Sequence, residues 1–377
     1  MPSQAVPSWG DPAATARRVS PSAGECGVKD QVSCSGSPAG RPGDEPDVGS
    51  SAPVGRPSRT ARHLAIVGAT ATGKTALAVA LARRSPRVEL VSVDAMAVYK
   101  GLDIGTAKPT PDQRDGVAWH LLDLLDPACE FSVAQFQAAG RAALAGIEAR
   151  GHVAVLVGGT GLYHRALVDG LALPGRYPQI AAELEHEADA VGSQALHLRL
   201  AALDPLAASR IEPGNRRRVV RALEVTLGSG RPFSASGPGL DAYRPSEVSQ
   251  VGLALEREEL DRRIAERLEH QLAAGFVEEV RMLACRPGGL GRTARQALGY
   301  REIIASLAGE LGLAEALEET LRRTRAFARR QVRWFRRDPR VEWVDARTPQ
   351  LVEQLVEQLV DRHGLARGPA PRLPCET

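Results

Sequence analysis

The stretch Gly68-Ala69-Thr70-Ala71-Thr72-Gly73-Lys74-Thr75 constrains the fold more than any other part of the chain. It reads G-x-x-x-x-G-K-[ST], the pattern of a phosphate-cradling loop. Before it lies His63-Leu64-Ala65-Ile66-Val67, an apolar run of the length of a buried parallel strand. After it comes Ala76-Leu77-Ala78-Val79-Ala80-Leu81-Ala82, rich in helix formers. Strand, loop and helix in that order are the context the motif requires. Gly68 and Gly73 permit the tight turn. Successive backbone N–H groups then point inward, and the helix N-terminus adds partial positive charge. Lys74 supplies a point charge for the outer phosphate, and the Thr75 hydroxyl can ligate a metal ion.

A second strand, Val88-Glu89-Leu90-Val91-Ser92-Val93, ends at Asp94. In an open α/β sheet ligands gather at the carboxyl ends of the strands, so Asp94 is expected beside the phosphate loop. A strand-end aspartate can also simply cap the next helix. The chain continues from Met96 to Pro109 as a loop with two glycines and many donors, which has the look of a functional segment. The next strand, Val153-Ala154-Val155-Leu156-Val157, runs into Gly158-Gly159-Thr160-Gly161-Leu162-Tyr163. A conventional ATPase would end that strand in an aspartate for Mg²⁺. Its absence argues against ATP hydrolysis. The expected fold is α/β: a P-loop NTPase-like parallel sheet flanked by helices, with a helical insertion and a helical C-terminal region.

The chain has 377 residues and a net charge of +3, so any polyanion must be met by a local basic patch. Its five cysteines are scattered without a C-x-x-C pair, which fits a reducing cytoplasm better than a disulfide framework. No apolar run approaches membrane-spanning length. Residues 1–62 contain no Leu, Ile, Phe or Tyr and cannot bury enough surface to offset their ordering entropy. The expected organisation is a disordered extension over 1–62, the first part of the α/β core over 63–170, and a helical insertion over 171–245. Core completion with a further helical region covers 246–346, and a C-terminal helix with a disordered tail covers 347–377. No internal repeat is present.

GATATGKT, SVDAMAVYKGLDIGTAKP, GGTGLY, RRVVRALEV, ALGYRE and ARRQVRWFR occur in that order. Together they make roughly residues 63–345 resemble the bacterial tRNA dimethylallyltransferases, also called tRNA isopentenyltransferases. The resemblance implies transfer of an isoprenoid from dimethylallyl diphosphate to N6 of the adenine immediately 3′ of the anticodon, with Mg²⁺. It implies that the phosphate loop holds the donor's diphosphate, which explains the missing ATPase aspartate. It gives Asp94 the role of general base, with Lys74, Thr75 and Arg221 completing the catalytic set and Thr75 as the metal ligand. It places tRNA against Asp94, Ala95, Met96, Ala97 and Thr160. Further tRNA contacts fall on Arg217, Arg218 and Arg221, on Gln296, Gly299, Tyr300 and Arg301, and on Arg329, Arg330, Gln331, Arg333, Trp334 and Arg336. The partners implied are the anticodon stem-loop and dimethylallyl diphosphate, met by a monomer. The chain departs from the family pattern at Ala69, where Pro is usual. Ala95 and Ala97 stand for Ser and Gln, and Ala118-Trp119-His120 for Pro-His-His.

The residues themselves say less about the rest. Gln179 to Val191 and Gln194 to Leu203 read as helices, and Asn215 as the cap of a helix carrying Arg216, Arg217, Arg218 and Arg221. Ile264, Leu268 and Leu272 share a helix face ending near Gly275. Arg322, Arg325, Arg329, Arg333 and Arg336 form one stripe, with Leu321, Ala328 and Phe335 on another. Such a stripe is either a solvated face or a phosphate-backbone surface. Trp334 and Phe335 read as core rather than base-stacking residues. Three rival readings share parts of this pattern. A small-molecule P-loop kinase needs no arginine stripe, and an isopentenyltransferase for free adenine nucleotides usually lacks the RNA-binding region. An ATP-regulated RNA-binding module would make Asp94 dispensable.

Overall fold

A computed structural model describes residues 62–365, apart from 115, 238, 348 and 363. The expectations for the N-terminal extension and the C-terminal tail fall outside the described residues.

Six strands form one parallel sheet in the order β3-β2-β4-β1-β5-β6. They are β1 (His63–Gly68), β2 (Val88–Val93), β3 (Trp119–His120), β4 (Val153–Gly158), β5 (Val248–Ala254) and β6 (Val341–Asp345). β1 and β2 are buried along their whole length, as parallel strands covered on both faces should be, although β2 carries the polar Glu89 and Ser92. Helices α1 (Lys74–Arg84) and α12 (Pro349–Arg362) belong to one side, where Leu77, Leu81, Leu64, Ile66, Val356 and Leu359 share a buried cluster. Helices α3 (Val133–Ala149) and α4 (Gly161–Val168) pack against the other face. Ser132 and Gln135 form a reciprocal cap that starts α3. The short α2 (Pro111–Arg114) precedes β3.

β4 is inserted between β1 and β2, so Gly158 is registered against both Val67 and Val93. This topology brings three strand ends together: the phosphate loop after β1, Asp94 after β2, and Gly159-Thr160 after β4. A crevice outside the carboxyl ends of such strands is where an α/β sheet binds its ligand.

The segment expected as an insertion contains α5 (Pro178–Leu203), α6 (Pro205–Arg210) and α7 (Arg216–Ser229). Gly192, at φ 81° and ψ 161°, breaks α5 into the two helices the sequence indicates. The Asn215 side chain accepts from the Arg218 N–H and caps α7. These helices have their own buried cluster around Leu184, Leu196, Leu200, Val219 and Leu223. The chain then adds α8 (Arg257–Ala273), α9 (Phe276–Cys285), α10 (Tyr300–Leu307) and the long α11 (Leu313–Phe335). Gly275 ends α8 as expected, at φ 94°. No helix among the described residues is long and apolar enough to cross a membrane.

At the start of β2, opposite the ligand edge, Glu89 is 5% exposed yet charged. Arg150 donates to both its oxygens at 2.8 Å, and His120 Nε2 and His152 Nδ1 lie 2.6 and 2.7 Å away. The Arg150 guanidinium beside it, helped by the two imidazoles against the cost of burial, holds its carboxyl down to about 2. Its folded pKa lies below the ordinary 4.5, so its stabilisation is full above pH 4.5 and is lost as pH falls through about 2. The shift corresponds to on the order of 3 kcal/mol. Glu89→Gln is expected to lower stability by about 2–3 kcal/mol in urea unfolding at neutral pH. The gap between the two proteins should close as pH drops through that window. An unchanged midpoint at neutral pH would show that these contacts contribute nothing net.

Candidate active site

The phosphate loop needs an unusual backbone. Gly68 has φ 141°, and a Cβ there would lie 2.8 Å from the Leu253 carbonyl oxygen of β5. Ala71 adopts φ 64° and Gly73 φ 90° before α1 begins at Lys74. Thr72 Oγ1 donates to the Ala69 carbonyl at 2.9 Å and closes the turn. Ala69 is fully buried, in a cluster with Leu260 and Ile264 of α8 and Ala328 of α11. Thus helices from the last third of the chain carry the loop that begins the fold.

Lys74 Nζ donates to the Ala69 carbonyl at 2.5 Å. Burial, and next the Arg267 guanidinium, push its ammonium down to about 7, with Asp94 pulling the other way. Arg267 of α8 donates to Thr70 Oγ1 at 2.8 Å. Burial lowers its own pKa, and Asp94 again opposes. Two cations and one carboxylate therefore share a site, and burial raises both cations in energy. Such a pair favours a polyanionic ligand.

Asp94 Oδ1 accepts from the Met96 and Ala97 N–H groups at 2.8 and 3.2 Å. One oxygen thus caps a turn, the structural role the sequence left open. No hydrogen bond engages the other, Oδ2, among the described residues. Thr160 Oγ1 accepts from the Ala95 N–H at 3.2 Å, tying the β4 loop to the residue after Asp94. Thr75 is half-buried in the first turn of α1, beside Lys74. Its hydroxyl is a hard oxygen donor that fits Mg²⁺ as one ligand, the rest of whose shell phosphate oxygens and water would fill.

Several residues expected to touch RNA are placed otherwise. Tyr300 is fully buried, its ring edge-on to Phe276 and its hydroxyl donating to Glu279 Oε1 at 2.5 Å. Gly299, at φ 85°, lies so close to Phe276 that a Cβ would come within 2.7 Å. These two residues build the core under the loop after Asp94. Gln331 is 6% exposed and uses its amide inside the protein. Ala97 is buried as well, at 5% exposure. Periodicity could not warn of this, because the partners of these residues come from distant segments. Arg221 pairs with Glu224 Oε1 at 2.8 Å and donates to the Pro174 carbonyl at 2.9 Å. Its guanidinium is engaged within the insertion. Ala95, Met96 and Thr160 are half-buried around Asp94, while Gln296 and Arg301 are exposed. Arg217 and Arg218 are exposed on α7.

The arginine stripe divides. Arg322 pairs with Glu319, and Arg325 is half-buried within 4.0 Å of Asp261. Arg329, Arg330, Arg333 and Arg336 are exposed and make no ion pair among the described residues. Ala328 and Phe335 are buried as their spacing indicates. Trp334 is half-buried against Gly161, where a Cβ would meet the indole at 2.1 Å. That supports its reading as a packing residue.

Sequence reasoning missed Arg267 and Glu279. Arg267 follows Ile264 by three residues, so it borders the buried face of α8, where a charge needs a partner. Glu279 accepts from the Asp103, Ile104 and Gly105 N–H groups at 3.0, 2.8 and 3.2 Å. It fixes the loop after Asp94, and only the tertiary contact reveals that.

The model of the IPP transferase family matches residues 97–338, and that of the isopentenyl transferase family matches 61–123. The chain is 50% identical over 298 residues to the tRNA dimethylallyltransferase of a Nocardioides species, covering 79% of this chain and 95% of that one. The chain belongs to the IPP transferase family. It is 51% identical over 288 residues to the tRNA dimethylallyltransferase of Kineococcus radiotolerans, covering 75% of this chain and 90% of that one. Among solved structures, the tRNA isopentenylpyrophosphate transferase of Bacillus halodurans superposes with a TM-score of 0.59 at 36% identity. That match covers 81% of this chain and 97% of the other. In this IPP transferase β4 ends in Gly158, where a Cβ would meet the Val93 carbonyl oxygen of β2 at 2.0 Å, so an aspartate does not fit at that strand end.

Proposed function

We propose that this IPP transferase moves the dimethylallyl group of dimethylallyl diphosphate onto N6 of the adenine immediately 3′ of the tRNA anticodon. One observation carries the reading: Lys74 and Arg267 at the phosphate loop share a site with the half-engaged carboxylate of Asp94. The two cations and the loop amides hold the diphosphate. The adenine amine attacks C1 of the allyl group, and the C1–O bond breaks as the C–N bond forms. Charge grows on the departing diphosphate, where Lys74 and Arg267 stabilise it most. The amine proton passes to Asp94 Oδ2. Mg²⁺, held by Thr75 and phosphate oxygens, would supply further charge neutralisation to the leaving group. The target base must leave its stack to reach this crevice. A monomer acting in the cytoplasm completes the reading.

Purified protein, labelled dimethylallyl diphosphate and either tRNA, AMP or no acceptor provide the test, with ATP turnover followed alongside. Label in tRNA alone is the expected result. Label in AMP, or ATP turnover without transfer, would replace the reading by one of its rivals.

The exposed arginines of α11 supply the phosphate-backbone surface in this scheme. Neutralising Arg330 and Arg333 together is expected to weaken tRNA binding and flatten its salt dependence. The slope of log K against log salt should fall by about 0.7–0.9 for each phosphate no longer neutralised. Diphosphate binding without RNA should stay within about twofold. An unmoved salt slope would place the RNA surface elsewhere.

A further inference from the structure

Gln331 occupies an unusual position. Its Oε1 accepts from the Thr70 N–H of the phosphate loop at 2.8 Å, and its Nε2 donates to the Gly159 carbonyl at 2.9 Å. One buried amide therefore spans the loop after β1 and the loop after β4. A Cβ on Gly159 would stand 2.2 Å from that Nε2, so the contact is close. One turn further along α11, Trp334 lies on Gly161. Thr160, between these two glycines, accepts from the Ala95 N–H beside Asp94. The same turns of α11 thus touch both halves of the site, the diphosphate loop and the turn that carries the base.

The outer face of those turns carries Arg329, Arg330, Arg333 and Arg336, all exposed. Like charges at helical spacing destabilise the segment they occupy. A polyanion laid on that face removes the repulsion and steadies the helix under Gln331. A ligand that favours the seating of α11 seen here also favours the loop contacts that Gln331 makes, which makes the two bindings cooperative.

We propose that Gln331 is a positioning residue that couples RNA on the arginine face of α11 to the geometry of the phosphate loop, so that RNA and donor diphosphate each tighten the other. The inference rests on the RNA-binding reading above. It assigns Gln331 a link between two sites rather than a contact with either ligand. By linkage the effect is reciprocal.

The test uses the full chain, inorganic diphosphate with Mg²⁺, and an anticodon stem-loop RNA, with dissociation constants from calorimetry. In the unaltered protein the RNA is expected to tighten diphosphate about fivefold or more, and diphosphate to tighten the RNA by the same factor. Gln331→Leu strands the Thr70 N–H and the Gly159 carbonyl, and should bring that factor to within about twofold of one. Its RNA affinity without diphosphate should change less than about threefold. Gln331→Glu keeps the acceptor for Thr70 but loses the donor to Gly159, and provides a milder variant should the leucine protein not fold. Its coupling should fall between the two. A coupling factor equal to that of the unaltered protein in a folded variant overturns the proposal. So does a factor of one in the unaltered protein while it still binds both ligands and transfers label to tRNA. If the unaltered protein neither binds the stem-loop nor transfers label, the functional reading itself falls, which is a different result.

Discussion

Exchanging Asp94 for Asn is expected to lower kcat by about 10²–10⁴-fold, with tRNA affinity close to that of the unaltered protein. The adenine N6 amine is a poor nucleophile because its lone pair is delocalised into the ring. Removing its proton as the C–N bond forms prevents positive charge from accumulating on nitrogen. The geometry makes Asn a clean probe. Oδ1 already serves the Met96 and Ala97 N–H groups, and an Asn carbonyl oxygen can keep both bonds. What Asn removes is the free oxygen. If Asp94 acted only through the turn, Asn would retain nearly full activity. If it acted only by ordering Mg²⁺, raising the metal concentration would restore the rate. Single-turnover kinetics over a Mg²⁺ series separate these outcomes, and recovery to near the unaltered rate would remove Asp94 from the role of base.

Lys74→Ala should reduce prenyl transfer by about 10²–10³-fold, the range seen when one donor to a developing anion is removed. Binding of tRNA should survive. The Lys74 environment adds a pH signature. Burial and the Arg267 guanidinium hold its pKa to about 7. A bound diphosphate favours the charged ammonium and raises that pKa. Above about pH 7 the site must then take up a proton when diphosphate binds. Affinity should fall as pH rises past that value, by up to about tenfold per unit, and be steady below it. Calorimetry in buffers of different ionisation enthalpy reads the proton directly. Lys74→Ala should abolish the uptake. A pH-independent affinity in the unaltered protein would show that Lys74 is already charged before diphosphate binds.

The two replacements also report on different parts of the molecule. Lys74 and Asp94 are each set by short local segments, one strand and one turn. Arg267 and Gln331 reach the same site from α8 and α11, far along the chain, and bind Thr70 from two sides. A site assembled this way is sensitive to how the helical region seats on the sheet.

Local pattern was enough for much of this. The strand–loop–helix run at Gly68 to Thr75 dictated the phosphate loop, because backbone conformation there depends on glycines and on the helix after them. The apolar runs of β1 and β4 dictated buried strands, and a strand-end position put Asp94 at the ligand edge. The break at Gly192, the cap at Asn215 and the buried face of Ile264 and Leu268 were equally legible, since each arises from contacts within a few residues.

Tertiary structure alone decided which polar residues are free to act. Gln331, Gly299 and Tyr300 belong to motifs that look outward in sequence, yet Gln331 is committed to Thr70 and Gly159, and Tyr300 to Glu279. The spacing of Arg267 from Ile264 puts it beside the buried face of α8, but only the fold shows that it reaches the phosphate loop. Arg322 and Arg325 share a stripe with Arg329 and Arg333, but only the latter two lack acidic partners among the described residues. The physical reason is common to all of these. A buried donor or acceptor must be paired, and for Gln331 and Arg267 the partner lies well over a hundred residues away along the chain. Periodicity reports which face of an element is covered; it carries no information about which distant atom does the covering.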